Sequence, residues 1–190
     1  MSPGPPSRYD AGVMPDIDLK SFIRDVPDFP QPGVLFRDIT PLVHDPAAYR
    51  YAIDELVRHV GSFSPDAVVA IESRGFFFGA PVAYRLGVPF VPVRKAGKLP
   101  AERMSVEYAL EYGESQLDIH TDALARGQTA VIVDDLLATG GTAAATAKLV
   151  ELLGASVAAL AVVVELAFLG GRERLPGYEI IALARYDEAG

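Results

Sequence analysis

Cysteine is absent from this chain of 190 residues. That removes disulfides, thiolate metal sites and cysteine nucleophiles together, and it fits a reducing compartment such as the cytoplasm. Lysine is scarce: Lys20, Lys95, Lys98 and Lys148 are the whole complement. Lys plus Arg number 17 against 25 Asp plus Glu, a formal net charge of −8. A chain with that deficit lacks the broad basic face that nucleic acid or an anionic membrane requires. Long apolar runs are missing too. The most apolar stretch, Ala155 to Val164, is bounded by Gly154 and Glu165, well short of the roughly 20 residues that cross a bilayer. No nucleic-acid or membrane partner is therefore expected. Residues 1–16, rich in proline and glycine, hold no apolar secretory segment. They read as a flexible leader before a single domain over residues 17–190.

Half of the residues are hydrophobic and 22% are charged, a composition that folds around a core rather than staying disordered. The pattern alternates. Asp16 to Val26 puts Ile17, Phe22, Ile23 and Val26 on one helical face. The proline-dense segment 27–33 reads as a turn-rich connector. Asp45-Pro46 opens a clear helix, in which Tyr49, Ala52, Ile53, Leu56, Val57 and Val60 keep helical spacing up to Gly61. Continuous apolar strands are expected at Ala67–Ile71, Val88–Val93, Ala130–Val133, Val157–Val164 and Glu179–Ala184, with helices at about 76–86 and 142–153. This predicts an α/β fold with a mostly parallel sheet flanked by helices. Residues 97–115 break the rhythm with mixed charge, Pro100, Gly113 and two tyrosines. A connection of that length reads as a flap or lid.

The segment with most chemistry is Val131-Ile132-Val133-Asp134-Asp135-Leu136-Leu137-Ala138-Thr139-Gly140-Gly141-Thr142. Two adjacent carboxylates end an apolar strand, a turn of small residues follows, and a helix begins. Ligands of open α/β sheets bind at the carboxyl ends of strands. Small side chains let backbone N–H groups close on an anion, Thr139 and Thr142 add hydroxyls, and the helix N-terminus adds its positive dipole end. Neither the P-loop pattern nor the dinucleotide pattern is present. Carboxylates repel phosphate but accept hydrogen bonds from vicinal hydroxyls. The ligand that satisfies both halves is a sugar phosphate, with hydroxyls on Asp134 and Asp135 and phosphate on residues 138–142. The cluster Arg94, Lys95 and Lys98 at a strand end reads either as a surface group or as an anion clamp. Phe36, beside Arg37, suits a flat heterocycle as well as a core, and Glu111 in the flap could equally be solvated surface.

The strand-turn-helix segment resembles the phosphoribosyl-pyrophosphate motif of the type I phosphoribosyltransferases, and in its Asp-Asp-Leu-Leu-Ala-Thr-Gly-Gly-Thr form the adenine-specific branch. Phe29 to Ile39, Glu72 to Phe76, Arg94 to Pro100 and Leu110 to Gly113 resemble further segments of that branch, in the same order. The resemblance implies a flexible flap and a small N-terminal hood that binds the base through Leu35, Phe36 and Arg37. It implies that Arg74, Arg94, Lys95 and Lys98 meet pyrophosphate, with a cis peptide between Glu72 and Ser73. Asp134, Asp135, Ala138, Thr139, Gly140, Gly141 and Thr142 would hold the ribose phosphate. Glu111 would act at the purine N7, and Tyr112 would help the flap close. His120, just after the flap, is expected to be a structural or surface histidine rather than a catalyst. The implied reaction is transfer of a phosphoribosyl group to adenine, giving AMP and pyrophosphate in purine salvage. Mg²⁺ would be held mainly by substrate, in a cytoplasmic homodimer. A relative specific for another purine, or a non-catalytic sensor that binds nucleic acid, are the rival readings; the second would need a basic segment that this chain lacks.

Overall fold

The computed structural model describes residues 16–109 and 114–189. A 3₁₀ turn, Leu19–Phe22, leads into β1 (Arg24–Pro27), which pairs antiparallel with β2 (Leu35–Asp38) as a small separate ribbon. The helix expected from Asp16 to Val26 is therefore not formed. Backbone pairing with β2 takes Arg24 to Pro27 into extended structure, and Pro27 cannot supply a helical N–H. A short helix, α1 (Thr40–His44), precedes α2 (Pro46–Gly61). The Asp45 carboxylate caps α2 by accepting hydrogen bonds from the N–H groups of Ala47 and Ala48, both at 2.9 Å.

The main sheet follows: β3 (Ala67–Ile71), α3 (Gly75–Leu86), β4 (Phe90–Lys95), β5 (Arg103–Ala109), β6 (Glu114–His120), β7 (Thr129–Leu137), α4 (Gly141–Leu152), β8 (Ser156–Leu166) and β9 (Glu179–Tyr186). Its seven strands run in the order β5-β6-β4-β3-β7-β8-β9. Strands β4, β3, β7, β8 and β9 are mutually parallel, and β5 and β6 form an antiparallel extension at one edge. The expected flap region is thus largely a β-hairpin. Alternation of Met104, Val106 and Tyr108 with polar neighbours is the period-2 signal for it.

Two cores cover the sheet, one on each face. Val131 and Val133 join Leu56 and Val60 of α2 and Phe78 and Val82 of α3. Ile132 points the other way, with Leu149 and Val150 of α4. Fully buried side chains of this size, such as Leu42, Leu56 and Phe78, stabilise the fold by about 1.5–3 kcal/mol each relative to exposure. No helix among the described residues is long and apolar enough to cross a membrane. The consequence for function is positional: β3, β4 and β7 deliver their carboxyl ends to one place.

Candidate active site

A cavity of about 410 Å³ opens at those strand ends. Its walls are the turn Glu72-Ser73-Arg74 after β3, Lys95 at the end of β4, residues 134–143 from the end of β7 into α4, and Tyr108, Ser115 and Leu117 of the hairpin. Strand β7 runs on through both carboxylates to Leu137, and Asp134 is in register with Val162. The acids therefore stand on the last turns of pleat rather than beyond the strand. Asp135 is buried at 4% exposure. The Asp134 Oδ1 atom accepts the N–H of Asp135 at 2.9 Å.

Burial, and next to it the neighbouring Asp135 charge, push the Asp134 carboxyl well above its usual range. Burial also raises Asp135, opposed by the Arg74 guanidinium. Arg74 Nε lies 2.9 Å from Asp135 Oδ2. That is ion-pair distance, yet the N–H is not aimed at the oxygen, and Asp135 Oδ2 has no hydrogen-bond partner among the described residues. A buried carboxylate oxygen without a donor is costly. The Asp135 residue is part of the cavity wall.

The loop beyond β7 is built for anions. Gly140 takes φ +80° at the N-cap of α4, a conformation that glycine adopts without strain. The first-turn N–H groups of α4 have no intrahelical acceptor, and Gly141, Thr142 and Ala143 line the cavity. Thr142 donates its hydroxyl to Tyr108 at 3.4 Å, joining this loop to the hairpin.

The cations divide. Lys95 and Arg74 line the cavity. Arg94 does not: its Nε donates to Glu72 Oε2 at 2.6 Å and its guanidinium to the Lys98 carbonyl at 3.1 Å. Lys98 is exposed and outside the cavity wall. Arg94 thus braces the Glu72 turn and the 95–98 loop. The Glu72–Ser73 peptide is cis, as expected.

The hood residues also divide. Leu35, Phe36 and Arg37 are not part of the cavity wall. Phe36 packs edge-on to Phe29 at 5.1 Å and lies 5.4 Å from the Arg74 guanidinium, so it borders the site through Arg74. The Arg37 side chain is buried at 6% exposure, paired with Asp25, stacked 4.1 Å over the Tyr186 ring, and donates to the Ala189 carbonyl at 3.3 Å. Its guanidinium is committed to the protein, which leaves the Arg37 backbone for any contact with a base. Glu111 and Tyr112 lie outside the described residues. His120 is structural: its Nε2 bonds to the Pro100 carbonyl at 2.7 Å.

One residue that organises the site was not legible as such. Asp118 is fully buried and accepts from Ser105 Oγ and Gln116 Nε2, both at 2.7 Å, and from Gly97 N–H at 3.4 Å. Burial raises its pKa, but these hydrogen bonds and the Arg103 charge outweigh it and the net shift is downward. The loop that carries Lys95 and Lys98 is tied to the hairpin by this carboxylate. In sequence it is an unremarkable acid in an alternating strand.

The donor set bears on a metal. Asp134 and Asp135 offer hard oxygens, but no cluster of three or more metal-ligating side chains exists among the described residues. A hard cation with about six oxygen ligands would need most of them from a bound phosphate and from water. The residues fit an ion that arrives on its ligand.

Residues 43–176 match the phosphoribosyl transferase domain family. The chain is 57% identical over 171 residues to the adenine phosphoribosyltransferase of Synechococcus sp., covering 90% of this chain and all of the relative. It belongs to the adenine phosphoribosyltransferase family. The crystal structure of adenine phosphoribosyltransferase from Thermoanaerobacter pseudethanolicus superposes with a TM-score of 0.86 at 55% identity, covering 88% of this chain and 98% of that one. The Saccharomyces cerevisiae enzyme, complexed with an imino-altritol bisphosphate and adenine, gives 0.83 at 43% identity over 87% and 96%. The type I fold expected from the resemblance is the fold observed.

Proposed function

We propose that the cavity is the active site of an adenine phosphoribosyltransferase. The enzyme transfers the phosphoribosyl group of phosphoribosyl pyrophosphate to adenine, giving AMP and pyrophosphate, a step of purine salvage. The observation that carries the site assignment is the buried, donor-free Asp135 Oδ2 on the strand that leads into the small-residue loop of the same cavity wall.

Asp134 and Asp135 accept hydrogen bonds from the ribose hydroxyls. Residues Ala138, Thr139, Gly140, Gly141 and Thr142 hold the 5-phosphate with backbone N–H groups and the helix dipole. Arg74 and Lys95 meet the pyrophosphate, and Arg94 keeps the Glu72 turn in place. Lys98, exposed on the adjoining loop, reaches pyrophosphate only if that loop moves inward. The purine nitrogen forms its bond to the anomeric carbon as the bond to pyrophosphate breaks. Positive charge develops on the sugar ring, and the adjacent carboxylates stabilise it. A Mg²⁺ held mainly by the substrate, with Asp134 and Asp135 the hard oxygens this chain offers, would supply charge neutralisation for the leaving group. Adenine stacks near Phe36, with its edge read by the backbone around Leu35 and Arg37. Glu111 exchanges a proton at N7 and Tyr112 helps to close the hairpin, which excludes water from the activated sugar.

The reading includes a cytoplasmic homodimer. Phe77 and Tyr84, 48% and 86% exposed on one stripe of α3, suit burial against a second copy. Sedimentation velocity tests this, with a dimer mass expected. For the reaction, turnover is measured with adenine, hypoxanthine, guanine, xanthine and orotate, each with phosphoribosyl pyrophosphate and Mg²⁺. Adenine is expected to exceed the others by a wide margin; turnover of an oxopurine alone would refute the specificity. Glu111→Ala is expected to cut kcat by about a hundredfold while phosphoribosyl pyrophosphate still binds.

A further inference from the structure

Behind the phosphate loop sits a turn that the proposed chemistry does not use. Strand β8 ends beside β7 with Glu165 in register with Leu137, the last residue before the loop. Glu165 is buried at 2% exposure. It receives Arg172 in a two-pronged pair, Nε to Oε1 at 2.6 Å and a terminal N–H to Oε2 at 2.8 Å. The remaining guanidinium arm donates to the Ile180 carbonyl of β9 at 3.2 Å. Arg172 belongs to a 3₁₀ turn, Gly171–Arg174, that follows Gly170 at φ +67°. Its planar fork therefore fixes the turn to two strands at once.

The turn touches the phosphate loop backbone to backbone, in both directions. A Cβ added to Gly171 would overlap the Ala138 carbonyl oxygen and lie 3.1 Å from Leu137 Cγ. A Cβ added to Gly140 would overlap the Gly171 carbonyl oxygen. Ala138 and Gly140 both line the cavity. Nothing softer than main chain separates the loop from the turn, so a shift of Gly171 must displace the amides that face the ligand.

We infer that the Glu165–Arg172 pair, acting through Gly171, is a backstop that sets the position of the sugar-phosphate loop. Both are positioning residues, since neither touches the cavity. The inference rests on the proposed reading of that loop as the 5-phosphate site. It predicts an effect confined to one substrate. An error of about 1 Å in a binding group costs up to about a hundredfold in rate or affinity, and this error would fall on the phosphate and not on the base.

The test uses the full chain with Arg172→Lys, Arg172→Gln and Gly171→Ala. Direct binding of ribose 5-phosphate is measured by calorimetry, and KM for phosphoribosyl pyrophosphate and for adenine are measured separately, with a thermal melt for each variant. Arg172→Gln is expected to weaken ribose 5-phosphate binding and raise KM for phosphoribosyl pyrophosphate by about tenfold or more, with KM for adenine within about twofold. Arg172→Lys keeps the charge but loses the fork and should fall between. Arg172→Lys keeps a cation beside the buried Glu165 and is expected to fold even if Gly171→Ala, or Arg172→Gln, which leaves that carboxylate unpaired, does not. If wild-type protein fails to bind ribose 5-phosphate, the site reading itself is wrong. If wild type binds it and the Arg172 variants bind equally well, or lose both substrates in parallel, the backstop is refuted.

Discussion

Asp134→Asn should make the free protein more stable while weakening its hold on the sugar. Asp134 is a charge in a poor place: burial and the Asp135 carboxylate both disfavour its ionised form. The asparagine keeps the oxygen that accepts the Asp135 N–H at 2.9 Å and removes the repulsion. Single stabilising changes contribute about 1 kcal/mol, which moves the melting midpoint of a chain this long upward by about 2–4 °C. The pH dependence has a definite sign. Unfolded Asp134 titrates near 3.8 and the folded group titrates higher, so the unfolded state releases its proton first. Wild-type stability is lost as pH rises from about 3.8 to the folded value and stays reduced above it. The advantage of Asp134→Asn therefore grows over that interval and then levels off. Losing a hydrogen bond to a charged acceptor costs about 1.5–3 kcal/mol, so ribose 5-phosphate should bind about tenfold to a hundredfold more weakly. Melts at several pH values, with and without ribose 5-phosphate, read both effects. A variant that melts below wild type at pH 8, or keeps its ligand-induced shift, would refute the account of this pair.

Gly75→Ala should strike the same pair from α3. An added Cβ would lie 2.6 Å from Asp134 Oδ1, so KM for phosphoribosyl pyrophosphate is expected to rise about tenfold; unchanged KM would show that the carboxylate yields without consequence. Gly79→Ala probes the fold alone, because its Cβ would overlap Ala70 Cβ where α3 crosses β3. Overpacking of this kind costs about 1–3 kcal/mol, visible as a lower urea midpoint with the slope unchanged. Asp38 is held at about 2 by its hydrogen bond from Thr40, with Arg24 adding to it. Its folded pKa is depressed, so its stabilisation is present above about 3.8 and lost as pH falls toward 2. Asp38→Asn should flatten that acid limb, and an acid melt profile identical to wild type would count against it.

The parallel strands and the main helices were legible because each follows one rule. Apolar runs at 67–71 and 130–133 mean a sheet covered on both faces, and Asp45-Pro46 means a helix start. The loop after β7 was legible as a cavity wall for a different reason: small residues between a strand and a helix leave the backbone as the surface a ligand would meet. What escaped depends on partners distant in sequence. The helical face of Asp16 to Val26 is real as a pattern, but pairing with residues 35–38 overrode it. Arg37 sits beside an aromatic in the sequence; that Asp25, Tyr186 and Ala189, the last 152 positions away, hold its guanidinium shows only in the fold. Arg94 and Lys95 are adjacent in sequence, yet a strand sends neighbours to opposite faces. One braces Glu72 and the other faces the cavity.

That division explains how so acidic a chain can take a ligand with three phosphoryl groups. Around the cavity the arginines are already matched: Arg74 with Asp135, Arg94 with Glu72, and Arg172 behind it with Glu165. Among the described residues Lys95 is the cavity cation with no such partner. The site is thus close to locally neutral and cannot attract a polyanion by net charge at long range. It must recognise one at contact, through amides whose positions are fixed. Arg74 can turn toward a phosphate only by giving up its charge contact with Asp135, and on the proposed reading the ribose hydroxyls would take its place beside that carboxylate. On the proposed reading, sugar and pyrophosphate would support each other's binding: hydroxyls on the carboxylates would release the guanidinium proposed to meet the leaving group. A polyanion without the sugar between its phosphates would leave Arg74 held by Asp135, and this selects for the sugar phosphate in a way that a simple basic patch could not.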